Sequence, residues 1–152
     1  AAVVKGAAEV TATDVLDGPL SRARSLGVQH TINVREEQMP ALAYDVVFEC
    51  SGSPRAVPTA FEAARRGAVM VQVGMLPGEP FPVPFNIIVS KELDVRGSFR
   101  FADVYRQAVG LIVAGTIDVA PAITATVPLA DAVRAFELAA DRRRSAKVIL
   151  TA

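Results

Sequence analysis

The stretch that most constrains the fold is residues 45–75, DVVFECSGSPRAVPTAFEAARRGAVMVQVGM. Its first six residues are mostly apolar, as is typical of a strand buried on both faces. Ser53 and Pro54 then favour the start of a helix, as N-cap and first helical residue, and Gly67 is placed to end that helix. Val57, Phe61 and Ala64 lie at i, i+4 and i+7 and predict one apolar stripe along it. A second apolar segment follows and ends at Gly74. Two short buried strands joined by one helix are parallel in nearly all proteins, so we predict a βαβ unit.

The rest of the chain repeats this alternation and therefore predicts a parallel α/β fold, a doubly wound sheet. Strands are expected at residues 8–13, 28–33, 45–50, 68–73, 93–97, 119–127 and 147–150, and further helices near 17–26, 102–114 and 130–141. Apolar residues at helical spacing predict the inner faces of the first and last helices: Leu20, Ala23 and Leu26, and Leu129, Val133, Phe136 and Ala140. The proline-rich PVPF belongs at a sheet edge if it is a strand, because proline cannot donate to a ladder.

Charge and cysteine content exclude several classes of function. Sixteen basic residues balance sixteen acidic ones, so no net field favours nucleic acid or an anionic membrane. One cysteine cannot form an internal disulfide and fits a reducing compartment, so we expect a cytoplasmic protein. No apolar run reaches the roughly 18 residues of a membrane span, and we expect neither a span nor a signal peptide.

Two groups of residues lie where α/β sheets bind ligands. Asp14 ends a predicted strand just before a helix, and an acid there can accept hydrogen bonds from the adenosine ribose of a dinucleotide, or can simply be an acid in a turn. Ser51, Gly52 and Gly74 follow adjacent buried strands, where glycine lets the backbone approach a ring or a sugar closely, or serves only the turn.

Other reactive residues predict little chemistry. Cys50 is interpreted as a small core residue rather than a nucleophile, and the single histidine, His30, cannot build a metal site alone. We therefore predict no catalytic residue and no metal ligand. Arg100 and Lys147 are placed either to meet phosphates or to be solvated charges. The glycine fingerprint GxGxxG is absent and no strand precedes residues 1–6, which have the pattern of a helix end, so the first strand and phosphate loop are expected upstream.

Several segments in order, EVTATD, RARSLG, DVVFECSG, GAVMVQVG, KELDVRGSFRF and VPLADAVRAFELAADRRRSAKVIL, resemble the medium-chain zinc-dependent alcohol and polyol dehydrogenases. GSFRF is most similar to the sorbitol and L-idonate branch. The resemblance covers the whole chain but only the C-terminal, cofactor-binding half of such an enzyme. It implies a partial Rossmann-type domain over residues 1–121, followed by a helix–strand segment of the catalytic domain over 122–152.

The resemblance also implies a set of NAD-binding residues. Those on the adenosine side would be Asp14 at the ribose, Val15 at the adenine, and Cys50, Ser51 and Gly52. Val73, Gly74 and Met75 would lie by the nicotinamide carboxamide, Ser98, Phe99 and Arg100 would meet the nicotinamide half or the substrate end, and Lys147 would meet the pyrophosphate. Many relatives carry a basic side chain where this chain has Pro19, so one contact is expected to be lost. Asp14, with no basic residue just after it, favours NAD over NADP.

In this family the parent enzyme transfers hydride between a polyol or secondary alcohol and NAD, and the zinc ligands and proton relay lie upstream. The isolated chain is therefore expected to be inactive. The family also pairs the segment from Phe81 to Phe85 with its twin in a second subunit, which implies a homodimer or tetramer. Two alternatives stay open: a non-enzymatic α/β module that dimerises through this edge, and another nucleotide- or S-adenosylmethionine-binding domain. The sequence does not identify the alcohol.

Overall fold

The computed structural model describes the backbone of residues 1–152 and every side chain except that of Ala102. In chain order the elements are β1 (Thr11–Asp14), α1 (Asp17–Ser25), β2 (His30–Asn33), β3 (Tyr44–Glu49), α2 (Ala56–Ala63), β4 (Ala64–Gln72), α3 (Phe85–Lys91), β5 (Asp94–Gly97), α4 (Tyr105–Val113), β6 (Ile123–Pro128), α5 (Ala132–Ala140) and β7 (Lys147–Thr151). Short 3₁₀ turns precede α4, β6 and α5.

Every described strand pair is parallel, which confirms the predicted α/β class. The strands form three sheets rather than one: β1 with β2, β3 with β4 and β5, and β6 with β7. A helix joins the two strands of each pair, because parallel neighbours need a crossover. The chain divides into two units, one of residues 39–102 and one of residues 1–38 and 103–152.

The core of the 39–102 unit lies between α2 and β4. The predicted stripe of α2 is confirmed, since Val57 and Phe61 are both buried and pack with Ala68 and Met70 of β4. Leu93, just before β5, completes this core. These contacts remove the apolar face of α2 from water and anchor the sheet whose strand ends form the site described below.

The predicted limits of α2 were wrong at both ends. The helix begins at Ala56 and not at Pro54, and the carbonyl of Ser53, the predicted N-cap, instead accepts the Ala56 N–H in a turn at 2.9 Å. The helix ends at Ala63, and Gly67 lies within β4 at φ +69°. A glycine cap is not needed because other groups take the terminal carbonyls of α2. Chief among these is the Lys91 ammonium, which donates to the carbonyls of Phe61 and Glu62, and also to that of Ala64 at the start of β4, at 2.7–2.8 Å.

The prediction that β3 is buried on both faces was also wrong. Val47 packs on the core and Glu49 is buried, but Val46 and Phe48 on the alternate face are exposed, Phe48 by 54%. The reason is that α2 packs against one face of β3, and the period of two places only every second residue there.

The proline-rich stretch forms no strand, and it leads into a helix that periodicity did not reveal. Residues 77–84 are irregular, and α3 begins at Phe85 directly after Pro84. Ile87 and Ile88 of this short helix pack on the core of the unit. The helix ends at Lys91, and Glu92 directly after it adopts the left-handed conformation at φ +54°. Alternating prolines leave too few N–H donors for a ladder, so this segment packs through its side chains.

In the other unit, the inner faces of the helices were predicted only in part. Leu20 of α1 is buried as expected, whereas Leu26, just past the helix, is exposed. On the last helix, the residues predicted to face inward, Leu129, Val133, Phe136 and Ala140, are all exposed. Ala135 is the buried residue of α5. A small side chain there lets the helix lie close to β6 and β7, and this turns the bulky stripe outward. Residues 1–6 form hydrogen-bonded turns rather than a regular helix.

Candidate functional site

One turn follows β3 (residues 51–52) and another follows β4 (residues 73–75). These two turns are in direct backbone contact and are here called the paired turns. The N–H groups of Val73 and Gly74 both donate to the carbonyl of Glu49 at 2.8 Å. Gly52 is at φ +65°, and a Cβ there would lie 2.3 Å from the Met75 carbonyl oxygen. A Cβ on Gly74 would lie 2.1 Å from the Gly52 nitrogen. Both positions therefore require glycine, chiefly because the two turns pack on one another.

Glu49, which is not among the predicted site residues, lies beneath the paired turns with 4% of its surface exposed. Its Oε1 accepts the Ser51 N–H at 2.8 Å and the Ser51 hydroxyl, and its Oε2 accepts the Gly52 N–H at 3.1 Å and a Gln72 amide N–H. Burial by itself would raise the pKa of this carboxyl, but the hydrogen bonds outweigh it and hold the pKa below its ordinary value. The sequence signal that could have revealed Glu49 is an acidic residue at the end of an apolar strand, because a buried carboxyl there needs hydrogen-bond partners.

An open cavity of about 410 Å³ lies beside the second turn. The Ser98 N–H donates to the Gln72 carbonyl at 2.9 Å and so holds the chain after β5 alongside β4. A Cβ on Gly97 would meet no atom within 4 Å, so the backbone is open to an occupant there. Five predicted site residues line the cavity: Val73, Gly74, Met75, Ser98 and Phe99. Three residues that were not predicted complete its lining: Gln72, Leu76 and Gly97. Its wall is mostly apolar, with backbone groups between.

Arg100 and Cys50 flank these turns in different ways. Arg100 is exposed in the left-handed conformation at φ +59°, with its guanidinium carbon 4.9 Å from the centre of the Phe99 ring. Cys50 is exposed, so its placement in the core was wrong: it follows the buried Glu49 and falls on the open face of the strand. Although the residue is exposed, its sulfur is partly shielded from water. This desolvation, and secondly the charge of Glu49, raises the pKa of the Cys50 thiol, which disfavours the nucleophilic thiolate.

Three predicted residues lie in the unit of residues 1–38 and 103–152. Asp14 ends β1, and its Oδ1 accepts the Leu16 N–H at 2.9 Å, which orients the carboxylate in the turn before α1. Val15 is exposed beside it. Lys147 is the exposed first residue of β7.

The described residues do not fit a zinc ion. Among them, no group of three or more His, Cys, Asp and Glu side chains could hold a metal, and His30 is exposed in β2. We therefore assign no step in this chain to zinc. None of the described helices has the length and apolar character that crossing a bilayer requires.

Comparisons with known proteins place this geometry in a family. Residues 1–114 match the family model described as zinc-binding dehydrogenase. Over 150 aligned residues the chain is 36% identical to L-idonate 5-dehydrogenase (NAD(P)(+)) of Escherichia coli, covering 95% of this chain and 43% of that protein. It is 32% identical to mouse sorbitol dehydrogenase, covering 88% of this chain and 40% of the relative.

Solved structures agree with this assignment. The crystal structure of E. coli L-idonate 5-dehydrogenase superposes with a TM-score of 0.91 at 34% identity, over 99% of this chain and 44% of that one. A zinc-binding dehydrogenase from Sinorhizobium meliloti, bound to NADP, superposes with a TM-score of 0.89 at 25% identity, over 99% of this chain and 47% of that one. The chain thus spans less than half the length of these relatives. With three-quarters of its length matched by the family model, the chain belongs to the zinc-binding dehydrogenase family.

Proposed function

We propose that this chain is the dinucleotide-binding part of a polyol or secondary-alcohol dehydrogenase. The observation that carries the proposal is the cavity beside the paired turns, which is lined at the carboxyl ends of the adjacent parallel strands β4 and β5. Open α/β sheets bind nucleotides outside the carboxyl ends of their strands. The relatives named sorbitol and L-idonate dehydrogenase support polyols as the substrate class.

The cavity suits the flat, neutral part of a dinucleotide. Val73, Met75 and Phe99 supply apolar surface, and the bare backbone at Gly97 leaves room for a ring. When bound, the nicotinamide would supply the carbon that accepts or returns a hydride. The chain's own residues would orient the ring and exclude water from one side of it. We assign the nicotinamide carboxamide to the turn of Val73, Gly74 and Met75. Ser98, Phe99 and Arg100 are assigned to the rest of the nicotinamide half or to the substrate end beside it.

The adenosine end is assigned to a second set of residues. Asp14 would accept hydrogen bonds from the ribose, with Val15 at the adenine, and Cys50, Ser51 and Gly52 on the adenine and ribose side. Lys147 is proposed for the pyrophosphate. We propose NAD over NADP because a carboxylate at Asp14 repels a 2′-phosphate, although a relative of this fold binds NADP.

Three further parts of the proposal concern the whole protein. Residues 1–121 would form the cofactor-binding part and residues 122–152 would belong with a catalytic domain. Two copies would meet near residues 81–85, and the single cysteine fits a cytoplasmic setting. Zinc, which the family name implies, would be held by residues other than those described.

Titration of the protein with NADH and NADPH, followed by nicotinamide fluorescence, tests the proposal. We expect saturable NADH binding, weaker NADPH binding, and a loss of about tenfold or more in NADH affinity for Asp14→Ala, since each tenfold is about 1.4 kcal/mol and a charged hydrogen bond contributes at least that. Asp131→Ala is the matched control, because Asp131 is exposed and its side chain caps no backbone N–H.

Other outcomes would select the alternatives. Binding of S-adenosylmethionine in preference to NADH would replace the dehydrogenase assignment by another nucleotide-binding one. A well-folded protein that binds neither nucleotide and dimerises would instead favour a non-enzymatic module. Equal affinity for NADH and NADPH would refute only the preference for NAD.

A further inference from the structure

We propose that Glu49 is the positioning residue of the cofactor site, because it holds the paired turns in the arrangement that receives the dinucleotide. The inference rests on the proposed function. Glu49 does not line the cavity, so it would act through the residues that do. Its role is to fix where Ser51, Gly52 and the turn of residues 73–75 stand relative to one another.

Glu49 provides two separate links between the turns. Through its backbone carbonyl it accepts the N–H groups of Val73 and Gly74, which belong to the second turn. Through its carboxylate it accepts the N–H groups of Ser51 and Gly52, which belong to the first. A single residue thus bonds to both turns, and the close approach of Gly52 to Gly74 occurs directly beside it.

Gln72 extends this link to the cavity wall. Its amide nitrogen donates to Glu49 Oε2 and also to the Gly74 carbonyl at 2.8 Å. Gln72 lines the cavity, as does Gly74. The buried carboxylate is therefore connected to the cavity by one side chain, and a change at Glu49 reaches the cavity through Gln72.

The partner set requires a carboxylate and not an amide. The four groups that point at the Glu49 side chain are all donors: two backbone N–H groups, the Ser51 hydroxyl and the Gln72 amide. An ionised carboxylate is acceptor-only and satisfies all of them. A glutamine of the same shape would turn its NH₂ towards either the Ser51 or the Gly52 backbone N–H, which cannot accept, so one of these two N–H groups would lose its acceptor.

Glu49→Gln in the natural protein tests the inference, with the NADH dissociation constant and the melting temperature measured on the same samples. We expect NADH affinity to fall about tenfold or more at a temperature where the variant is fully folded, because bonds to a charged group are lost at the site. KM for the dinucleotide should rise more than kcat falls. Glu79→Gln is the control, since it makes the same chemical change at an exposed loop position.

The outcomes separate this inference from the function on which it rests. If the unaltered protein binds NADH and Glu49→Gln binds it equally well with a lower melting temperature, Glu49 only stabilises the fold and the inference is overturned. If the unaltered protein binds no dinucleotide, the proposed function fails and the inference fails with it. If Glu49→Gln does not fold, Gln72→Met replaces it: that variant keeps the Ser51 and Gly52 bonds but loses the link to Gly74. Unchanged NADH affinity in Gln72→Met would then refute the inference.

Discussion

Two βαβ segments of the chain, β3–α2–β4 and β6–α5–β7, share a topology but differ in how their helices are covered. Both pair their strands in parallel, and both ladders shift register after the first pair. Helix α2 buries Val57, Ala60, Phe61 and Ala63, whereas α5 buries only Ala135. The bulky residues Val133 and Phe136 of α5 are 75% and 72% exposed.

The difference shows that an apolar stripe does not determine its own burial. The stripe of α2 meets β4 and Leu93, both within its unit. Ala135 is the one residue of α5 that is buried in its unit, and the described residues of that unit leave Val133 and Phe136 exposed. The same periodicity thus predicts a buried stripe in both segments, but only α2 buries its stripe.

The largest difference in stability is expected between alanine substitutions of two phenylalanines, the buried Phe61 of α2 and the exposed Phe136 of α5. Phe61→Ala should lower the free energy of unfolding by about 3 to 5 kcal/mol, because it deletes a ring that is 3% exposed in a packed core. Phe136→Ala should change it by no more than about 0.5 kcal/mol, as for other exposed positions. Urea unfolding of both variants measures the contrast. A cost of several kcal/mol for Phe136→Ala would mean that another surface covers α5 in the protein.

The next effect concerns the strand ends of the first segment. Gly74→Ala should cost about 1 to 3 kcal/mol, because its Cβ would overlap the Gly52 backbone and the turns would have to separate. Gly78→Ala is the control, since a Cβ there meets nothing within 4 Å and its φ is not positive. Thermal unfolding compares them. Equal melting temperatures would show that the paired turns adjust freely.

How far the sequence predicted these features depends on whether the signal is local. The alternation of strand and helix patterns correctly predicted the parallel α/β class. The apolar stripe of Val57 and Phe61 correctly predicted which face of α2 packs in the core. The outward stripe of α5 was not predictable, because its direction depends on the close packing that Ala135 permits. Helix α3 was obscured by the prolines before it, although Pro84 only precedes its first residue.

The candidate site shows the same limit. The glycine turns could be located from the strand ends, since Gly52 and Gly74 each follow an apolar run. Their contact with each other could not, because it depends on the register between β3 and β4. Glu49 was missed for a related reason: its partner Gln72 lies 23 residues away, and only the fold brings the two together.

A smaller effect is expected at the end of α2. Lys91→Met should lower the free energy of unfolding by about 1 kcal/mol, because it removes the donor from the carbonyls of Phe61, Glu62 and Ala64 while keeping most of the side-chain volume. Lys5→Met, at an exposed position, is the matched control. Chemical unfolding of the two variants tests the contrast. If both changes lower the free energy of unfolding equally, the hydrogen bonds of the Lys91 ammonium contribute nothing beyond the loss of one positive charge.

The smallest effect is the acid dependence of stability contributed by Glu49. Its hydrogen bonds hold the folded-state pKa below the ordinary 4.5, so the unfolded chain binds this proton more readily than the folded one. The stabilisation is therefore fully present above about pH 4.5 and is lost as the pH falls through the lower, folded-state pKa. Glu49→Gln should unfold at a lower urea concentration near neutral pH, and its midpoint should fall less steeply than that of the unaltered protein below pH 4.5. Glu79→Gln, which alters an exposed carboxyl, should follow the unaltered protein throughout. Parallel pH profiles for Glu49→Gln and the unaltered protein would mean that the buried carboxylate is not ionised in the fold.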